Sequence, residues 1–291
     1  MYMTNNYTTT QVGQSRATVV AHTVHPSTKQ EITTWELVYP RYIHSEFMTH
    51  RMFSRNASSS RATPVKTLIA EVEAHPVYFD EVRCNQKGMT GGELVTSSVE
   101  KQFRDLWMQG AAEAAKIARQ MADLGVAKQT VNRLLEPYLP IRVLMTATEV
   151  ENFFKLRLAP DAQPEIQSLA KAMKGALAKA PFPSDSLHAP YLGSFSTEDS
   201  VGKALVRSIA ACARVSILRG DGKQTTYEDD LALVKRLRKG RHMTPFEHVA
   251  FAQEYGQYAN FKDWASVRYF LERKKPMPFW DELTELLKVE E

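Results

Sequence analysis

Thr49-His50-Arg51-Met52-Phe53-Ser54-Arg55-Asn56-Ala57-Ser58-Ser59-Ser60-Arg61 concentrates cations, hydroxyls and an imidazole in one short block. Arg51, Arg55 and Arg61 offer fork-shaped donors that match a phosphate or a flat carbonyl edge. Ser58, Ser59 and Ser60 add hydroxyls, and a loop there would expose backbone N–H groups to an anion. Read alone, the block is equally a solvated basic surface with a serine linker. A second block lies far along the chain. Ala213-Arg214-Val215-Ser216 is followed by His242-Met243-Thr244-Pro245-Phe246-Glu247-His248. Thr244 and Pro245 suit a tight turn entering a helix or strand, but that turn leaves two imidazoles and a glutamate unexplained. Together the blocks suit a site for phosphorylated, aromatic ligands.

Outward from the first block, β-branched and aromatic residues predict strands over Val19–Val24 and Thr33–Tyr39. Pro40 ends the second strand and starts a helix through Ile43, Phe47 and Met48, on which Glu46 and His50 share a face. The serine run then reads as a loop. Ser97 with Glu100 predicts the start of a long amphipathic helix, with Val99, Phe103, Leu106, Gly110, Ala114, Ile117, Met121 and Leu124 on its stripe. Shorter helices are expected around Val131–Leu135, from Thr148 to Arg157, and over Ile166–Leu177. The Pro- and Ser-rich stretch from Ala180 to Ser200 reads as a connector. Beyond it come a helix or strand to Ser216, a Gly-Asp-Gly turn at Gly220–Gly222, a helix from Tyr227 to Arg238, a strand over Val249–Tyr255, and a helical end from Trp264 to Leu287. The expected class is α+β, a mixed sheet with a helix-rich middle, in one domain over residues 1–291 whose polar first fifteen residues form a flexible tail. The alternation of a doubly wound parallel sheet is missing.

The chain of 291 residues is 43% hydrophobic and 24% charged, with a formal net charge of +4. No apolar run is long enough to span a membrane, and residues 1–15 lack the apolar core of a secretory signal. The mild basic charge suits small phosphates without demanding nucleic acid. Cys84 and Cys212 form no CxxC pair, which implies a reduced, cytoplasmic setting. Cys212, in an apolar run, reads as core. Cys84 has Arg83 beside it but no paired base to make it a nucleophile. There is no GxGxxG, no GxxxxGK[ST] and no HExxH. His242, Glu247 and His248 do not share one helical face, so no metal is expected. Arg133 and Arg157, each set among apolar residues of a short helix, are further candidates.

These segments together resemble the flavin-dependent thymidylate synthases. The family's RHRxxSxNxxSxR pattern is matched by Thr49–Arg61. Its ARVS and HxTPFEH segments are matched by Ala213–Ser216 and His242–His248. Its NFxxLR and AQxEI segments are matched by Asn152-Phe153-Phe154-Lys155-Leu156-Arg157 and Ala162-Gln163-Pro164-Glu165-Ile166. The order differs, since ARVS and HxTPFEH precede the arginine motif in the common form. The chain therefore resembles a circularly permuted variant, and Asn56–Arg61 with Asn85-Gln86-Lys87-Gly88-Met89 resemble a divergent branch often encoded by phages, for which the location would be the host cytoplasm.

The resemblance implies reductive methylation of dUMP to dTMP. Methylenetetrahydrofolate gives the carbon, reduced FAD the hydride, and NADPH reloads the flavin. It implies that Glu46, Ser59, Ser60, Arg61, Arg133 and Arg157 bind the nucleotide, with Arg157, Arg61 and Ser59 acting in the reaction. It implies that His50, Arg51, Asn56, Asn152, Ser216, His242, Thr244 and Glu247 surround FAD. It also implies a homotetramer with sites shared between subunits, and no cysteine nucleophile. The chain departs from the pattern at Thr49 (for Arg), Ala57 (for Glu), Ser60 (for Gly), Thr146 and Thr148 (for Asn and Arg) and Asp161 (for His). Those departures keep open a different product or base: 5-hydroxymethyl-dUMP, methylated dCMP, or a nucleotide-binding relative without catalysis.

Overall fold

The computed structural model describes residues 7–192, 200–215, 225–276, 282, 283 and 285. The expected Gly220–Gly222 turn and Ser216 lie outside these residues. Strands β1 (Thr8–Val12) and β2 (Ser15–Val24) form a hairpin whose turn needs Gly13 at φ +54°. The polar tail expected over residues 1–15 is thus strand from Thr8 onward. Threonine is β-branched and suits extended backbone, and Thr9 pairs its hydroxyl with Thr18 across the strands at 2.9 Å.

β3 (Glu31–Pro40) pairs with β2. The chain then passes through a 3-10 turn at Arg41–Ile43 and α1 (His44–Met48) into β4 (Ser54–Ala57). α1 is shorter than expected, and Thr49 and His50 follow it as single turns bonded to Glu46 O and Phe47 O. The serine block, expected as loop, begins as β4. Only Ser58 and Ser59 are loop before a 3-10 turn at Ser60–Ala62. β5 (Pro140–Ala147) lies between β3 and β4, antiparallel to both. The sheet order is β1-β2-β3-β5-β4. Every ladder in it is antiparallel, which corrects the expected mixed sheet: β3 and β4 run the same way, and the returning β5 fills the gap between them.

α2 (Val65–Ala74) and α3 (Ser97–Asp123) pack together against α4 (Lys128–Val131) and the 3-10 helix Asn132–Tyr138. Thr96, not Ser97, caps α3 by accepting from Val99 N. The stripe expected to be buried on α3 is exposed at Val99, Leu106, Ile117 and Leu124, while Ala111, Ala114, Ala115 and Ala118 face the core. Small side chains let α2 approach closely, and that contact overrides the larger residues' pattern. α5 (Glu151–Arg157) starts three residues later than expected and has no side-chain cap. Thr148 instead accepts from Lys262 N at 3.0 Å. α6 (Pro164–Leu177) has Pro in its first turn and lays Ile166, Leu169, Ala170 and Met173 on the sheet.

A second core gathers α7 (Val201–Arg214), α8 (Tyr227–Lys239), a 3-10 turn at Thr244–Glu247, the β6-β7-β8 sheet and α9 (Val267–Arg273). Here β6 is Leu187–His188, β7 Ala250–Tyr258 and β8 Phe261–Ser266. The helical end expected from Trp264 starts only at Val267, because Trp264–Ser266 pairs with β7 and Ser266 caps α9. No helix among the described residues is long and apolar enough to cross a membrane.

A buried line of hydrogen bonds joins the two cores. His248 Nδ1 meets the Thr146 hydroxyl at 2.8 Å, Thr146 meets Thr34 at 2.6 Å, Thr34 meets His188 Nε2 at 2.8 Å, and His188 Nδ1 meets Thr23 at 3.0 Å. His188 and His248 are fully buried, and burial pushes both imidazoles down to about 3, so both are neutral. Replacing Thr146 by Val should leave His248 Nδ1 unpaired and Thr34 with His188 alone, and cost roughly 2–3 kcal/mol, read from urea unfolding. An unchanged midpoint would contradict this role. Acid should act on the same line. Between pH 6.5 and 5 the unfolded histidines take up protons and the folded ones do not, so stability falls as pH falls. The loss is about 2 kcal/mol for each of His188 and His248 by pH 5, measurable as a falling unfolding free energy.

Candidate active site

The Thr49–Arg61 block runs past three groups of side chains in turn. The first is centred on Arg157, in the last turn of α5. Its Nε donates to His50 Nε2 at 3.0 Å, and its Nη2 to the Thr49 hydroxyl at 3.2 Å. Thr49 in turn donates to Glu46 O at 2.7 Å. The His50 ring lies edge-on to Phe153, 4.8 Å between centroids, and stacks on Phe53 at 5.6 Å. An imidazole nitrogen that accepts from a guanidinium must be unprotonated. Burial first, then the charges of Arg157 and Arg55, lower His50 to about 4. Arg55 itself clamps the turn, donating to Met48 O and His50 O. Glu46 is half-buried nearby and accepts from Ser45 Oγ. Asn152 is exposed on α5 beside Phe153, and Arg51 is exposed on the turn.

The second group brings the distant block to β4. Asn56 is buried, and its Nδ2 donates to Cys212 O at 2.7 Å, at the end of α7. Ser54 takes a hydrogen bond from Asn260 at 3.2 Å and bonds the Glu247 carboxylate. Arg268 bridges Glu247 and Glu272, each at 2.7 Å. Burial raises the Glu247 carboxyl, and Arg268 opposes that shift. Asn56 and Glu247 therefore have internal partners. His242 and Thr244 are exposed. Among the described residues no hydrogen bond or ring contact joins His242 to His50 or Asn152. Ser216 lies outside the described residues.

The third group surrounds the serines. Ser58 pairs with β5 through Arg142, giving its N–H to Arg142 O at 2.8 Å and accepting from Arg142 N at 3.1 Å. Asn132, fully buried, donates to Ser60 O at 2.7 Å and Thr63 O at 3.0 Å, which fixes the loop. The Ser60 hydroxyl donates to Glu136 at 2.6 Å, and Arg133 donates to both oxygens of the same carboxylate at 2.9 and 3.2 Å. A cleft of about 270 Å³ opens here, lined by Ser58, Ser59, Ser60, Arg41, Arg142 and an apolar floor that includes Leu139 and Ile141. Arg61 is exposed on the adjoining turn. Ser59, Ser60 and Arg133 thus lie together, whereas Arg157 belongs to the His50 group at the other end of the block.

Sequence reasoning missed Arg41, Asn132, Glu136 and Arg142. The available signal was polar residues placed in short apolar segments next to Pro40 and Pro140. Several departures from the family pattern have structural uses. Thr49 holds Arg157, Ser60 holds Glu136, Thr146 joins the two cores, and Thr148 receives Lys262 N–H. Ala57 packs partly buried against the main core, and Asp161 is on the surface. Cys84 is exposed, and Cys212 is buried with its thiol pushed far up by burial.

The sequence model of the family described as thymidylate synthase complementing protein matches residues 7–184. No curated protein sequence matches the chain. Among solved structures, a UMP/dUMP methylase, PolB from Streptomyces cacaoi bound with 5-Br UMP, is similar at 20% identity and a TM-score of 0.44, over 51% of this chain and 70% of that one. The same methylase bound with 5-Br dUMP gives 20% identity and a TM-score of 0.40, over 51% and 67% of the two chains.

The His50 imidazole should titrate at about 4 by NMR. Arg157→Ala should raise that value without restoring the ordinary one, because burial is the larger cause. A wild-type value near 6.5 would remove the neutral acceptor from the site.

Proposed function

The chain belongs to the thymidylate synthase complementing protein family, the flavin-dependent thymidylate synthases, and we propose that it converts dUMP to dTMP with methylenetetrahydrofolate and NADPH as co-substrates. The observation that carries this reading is the convergence of separate motifs on one block: Arg157 on His50 and Thr49, the end of α7 on Asn56, and Glu247 on Ser54. That convergence also supports a permuted motif order within one domain, since the late segments pack directly on β4.

The half-buried, neutral His50 imidazole, braced by the buried rings of Phe153 and Phe53, would offer contact to the flavin of FAD, and exposed Arg51 would offer a cation for its diphosphate. On the family pattern, exposed Asn152, His242 and Thr244 would add polar atoms to the FAD site, while Asn56 holds the Cys212 carbonyl and Glu247 the Ser54 side chain. Bound FAD would supply the hydride. This chain's own contribution is electrostatic. Arg157 is oriented by two hydrogen bonds, so its guanidinium can meet charge developing on the uracil edge without reorganising. Ser59, Ser60, Arg61 and Arg133 would take the phosphate and sugar, and Glu46 a substrate polar group. This reading assigns no role to a thiol; Cys212 is buried and its thiol is pushed far up by burial. Exposed Leu106, Ile117 and Leu124 on α3 support a homo-oligomer, for which we propose the family's tetramer. A cytoplasmic setting, in a host cell if the gene is viral, goes with the free cysteines.

A second reading keeps the site but changes the product, to 5-hydroxymethyl-dUMP or a modified dCMP. Ala57 stands where the family pattern has a Glu, and Thr49 brings no cation to the His50 group. Purified protein should be yellow after FAD reconstitution and release tritium from 5-tritiated dUMP only with both co-substrates. A colourless protein that takes up no FAD would sink the reading. Product mass from dUMP against dCMP separates the two versions. Arg61→Ala should weaken dUMP binding by about thirtyfold or more. Unchanged affinity would remove Arg61 from the phosphate site.

A further inference from the structure

One carboxylate oxygen in the third group has an unusual set of neighbours. Glu136 Oε1 accepts from the Ser60 hydroxyl at 2.6 Å and from Arg133 Nη1 at 2.9 Å, and lies 3.6 Å from Arg41 Nη1. These three donors come from the turn after β4, the 3-10 helix before β5, and the turn after β3. A hydroxyl and two guanidinium groups meeting at one anionic oxygen form the donor set that a phosphate monoester recruits. Two of the three, Ser60 and Arg133, are nucleotide ligands in the proposed function. The Glu136 carboxylate already occupies their attention.

The two cations and the anion differ in how freely they can move. Arg133 is 58% exposed, so its guanidinium already stands in water. Glu136 is 21% exposed, so its side chain has a route to solvent, and the Ser60 and Arg133 bonds it would give up are the ones a phosphate would take over. Arg41 cannot follow. It is 17% exposed, its Nη2 is tied to Ser58 O at 3.4 Å, and its Nε is buried with no hydrogen-bond partner. A half-buried guanidinium with an unpaired donor needs an anion next to it at all times. Glu136 supplies that anion at rest. Two arginines against one carboxylate leave one positive charge over, and a phosphate monoester dianion would neutralise the arginine pair more completely.

We propose that Glu136 is a built-in stand-in for the substrate phosphate: it holds Ser60, Arg133 and Arg41 in place until a nucleotide monophosphate binds and displaces it. The inference rests on the nucleotide reading above and adds two residues to it. Arg41 becomes a phosphate ligand, and Glu136 becomes a positioning residue that trades affinity for a preformed site. It also gives selectivity, because only a ligand with an anionic group can expel the carboxylate; a nucleoside cannot.

The test compares full-length, FAD-reconstituted wild type with Glu136→Gln for binding of dUMP, deoxyuridine and inorganic phosphate by calorimetry, with melting temperatures in phosphate-free and phosphate buffer. The variant should bind dUMP about tenfold more tightly, with deoxyuridine unchanged. It should also melt lower than wild type without phosphate and gain more from added phosphate. Equal or weaker dUMP affinity in the folded variant would overturn the proposal. If the variant folds only in phosphate, that rescue supports it. If it does not fold at all, Glu136→Asp, whose shorter carboxylate loses Ser60, takes its place, and unchanged dUMP affinity there counts against. The two readings fail separately. Selective phosphate rescue without dUMP binding to either protein would retain the stand-in and discard the nucleotide substrate. Normal dUMP turnover with no change in affinity would do the reverse.

Discussion

The hydroxyl of Thr146 stands at the join on which the arrangement depends. It touches Thr34 on the neighbouring strand and His248 at the end of the Thr244–Glu247 turn. Thr34 passes the line to His188 and so to Thr23. The five-stranded sheet and the β6-β7-β8 sheet each carry a hydrophobic core, and this buried polar seam fixes how they meet. Apolar packing alone is non-directional and would tolerate sliding, whereas a line of five fully or nearly buried groups tolerates one register. Its hydrogens have a preferred sense. If His248 Nδ1 donates to Thr146, and each hydroxyl donates onward, the only atom left over is the acceptor lone pair of His248 Nε2. The opposite sense would strand an N–H, which buried sites rarely accept.

That register has a consequence for the site. With His248 held at Thr146, the preceding turn lies against β4, Glu247 reaches Ser54, and the end of α7 presents Cys212 O to Asn56. The Thr49–Arg61 block thereby becomes a shared wall. Its first residues are held by α5, its middle by the late part of the chain, and its serines by the 3-10 helix before β5. Many polar side chains there already have partners inside the protein. Arg157 is aimed by His50 and Thr49, and Arg133 and Ser60 are aimed by Glu136. Groups held in this way need little reorganisation when a ligand arrives, which is where electrostatic sites gain most of their effect.

Much of the helical structure was legible from local chemistry. Pro164 and the Ile166–Met173 stripe specify α6, and the Tyr227–Lys239 helix could be read from its periodicity. The failures have physical causes too. β4 and β5 were missed because Ser54-Arg55-Asn56 is polar throughout and Val143-Leu144-Met145 apolar throughout, so neither carries a two-residue alternation; from Val143 onward β5 is buried on both faces. α3 was read with its buried face rotated: Ala114 is core as expected, but the larger residues of that stripe are exposed, since a sequence shows which residues are apolar but not which neighbour will press against them. Alanines won because α2 approaches closely. The start of α5 was placed too early because Thr148, a plausible cap, is used by a strand residue more than a hundred positions away.

For the candidate site, the residue types and their motif spacing lay in the sequence alone. It established the dense arginine and serine block, the second imidazole block, the family, and the absence of nucleotide-fold and zinc motifs. It could not establish which of those polar groups point at one another. Arg157 with His50, Asn56 with Cys212, and Glu136 with Ser60 and Arg41 are pairs separated by dozens to more than a hundred residues, and Glu136 carries no motif at all. Hydrogen bonds act over about 3 Å, so their partners are chosen by where the folded backbone brings the atoms, and a linear string holds no record of that distance.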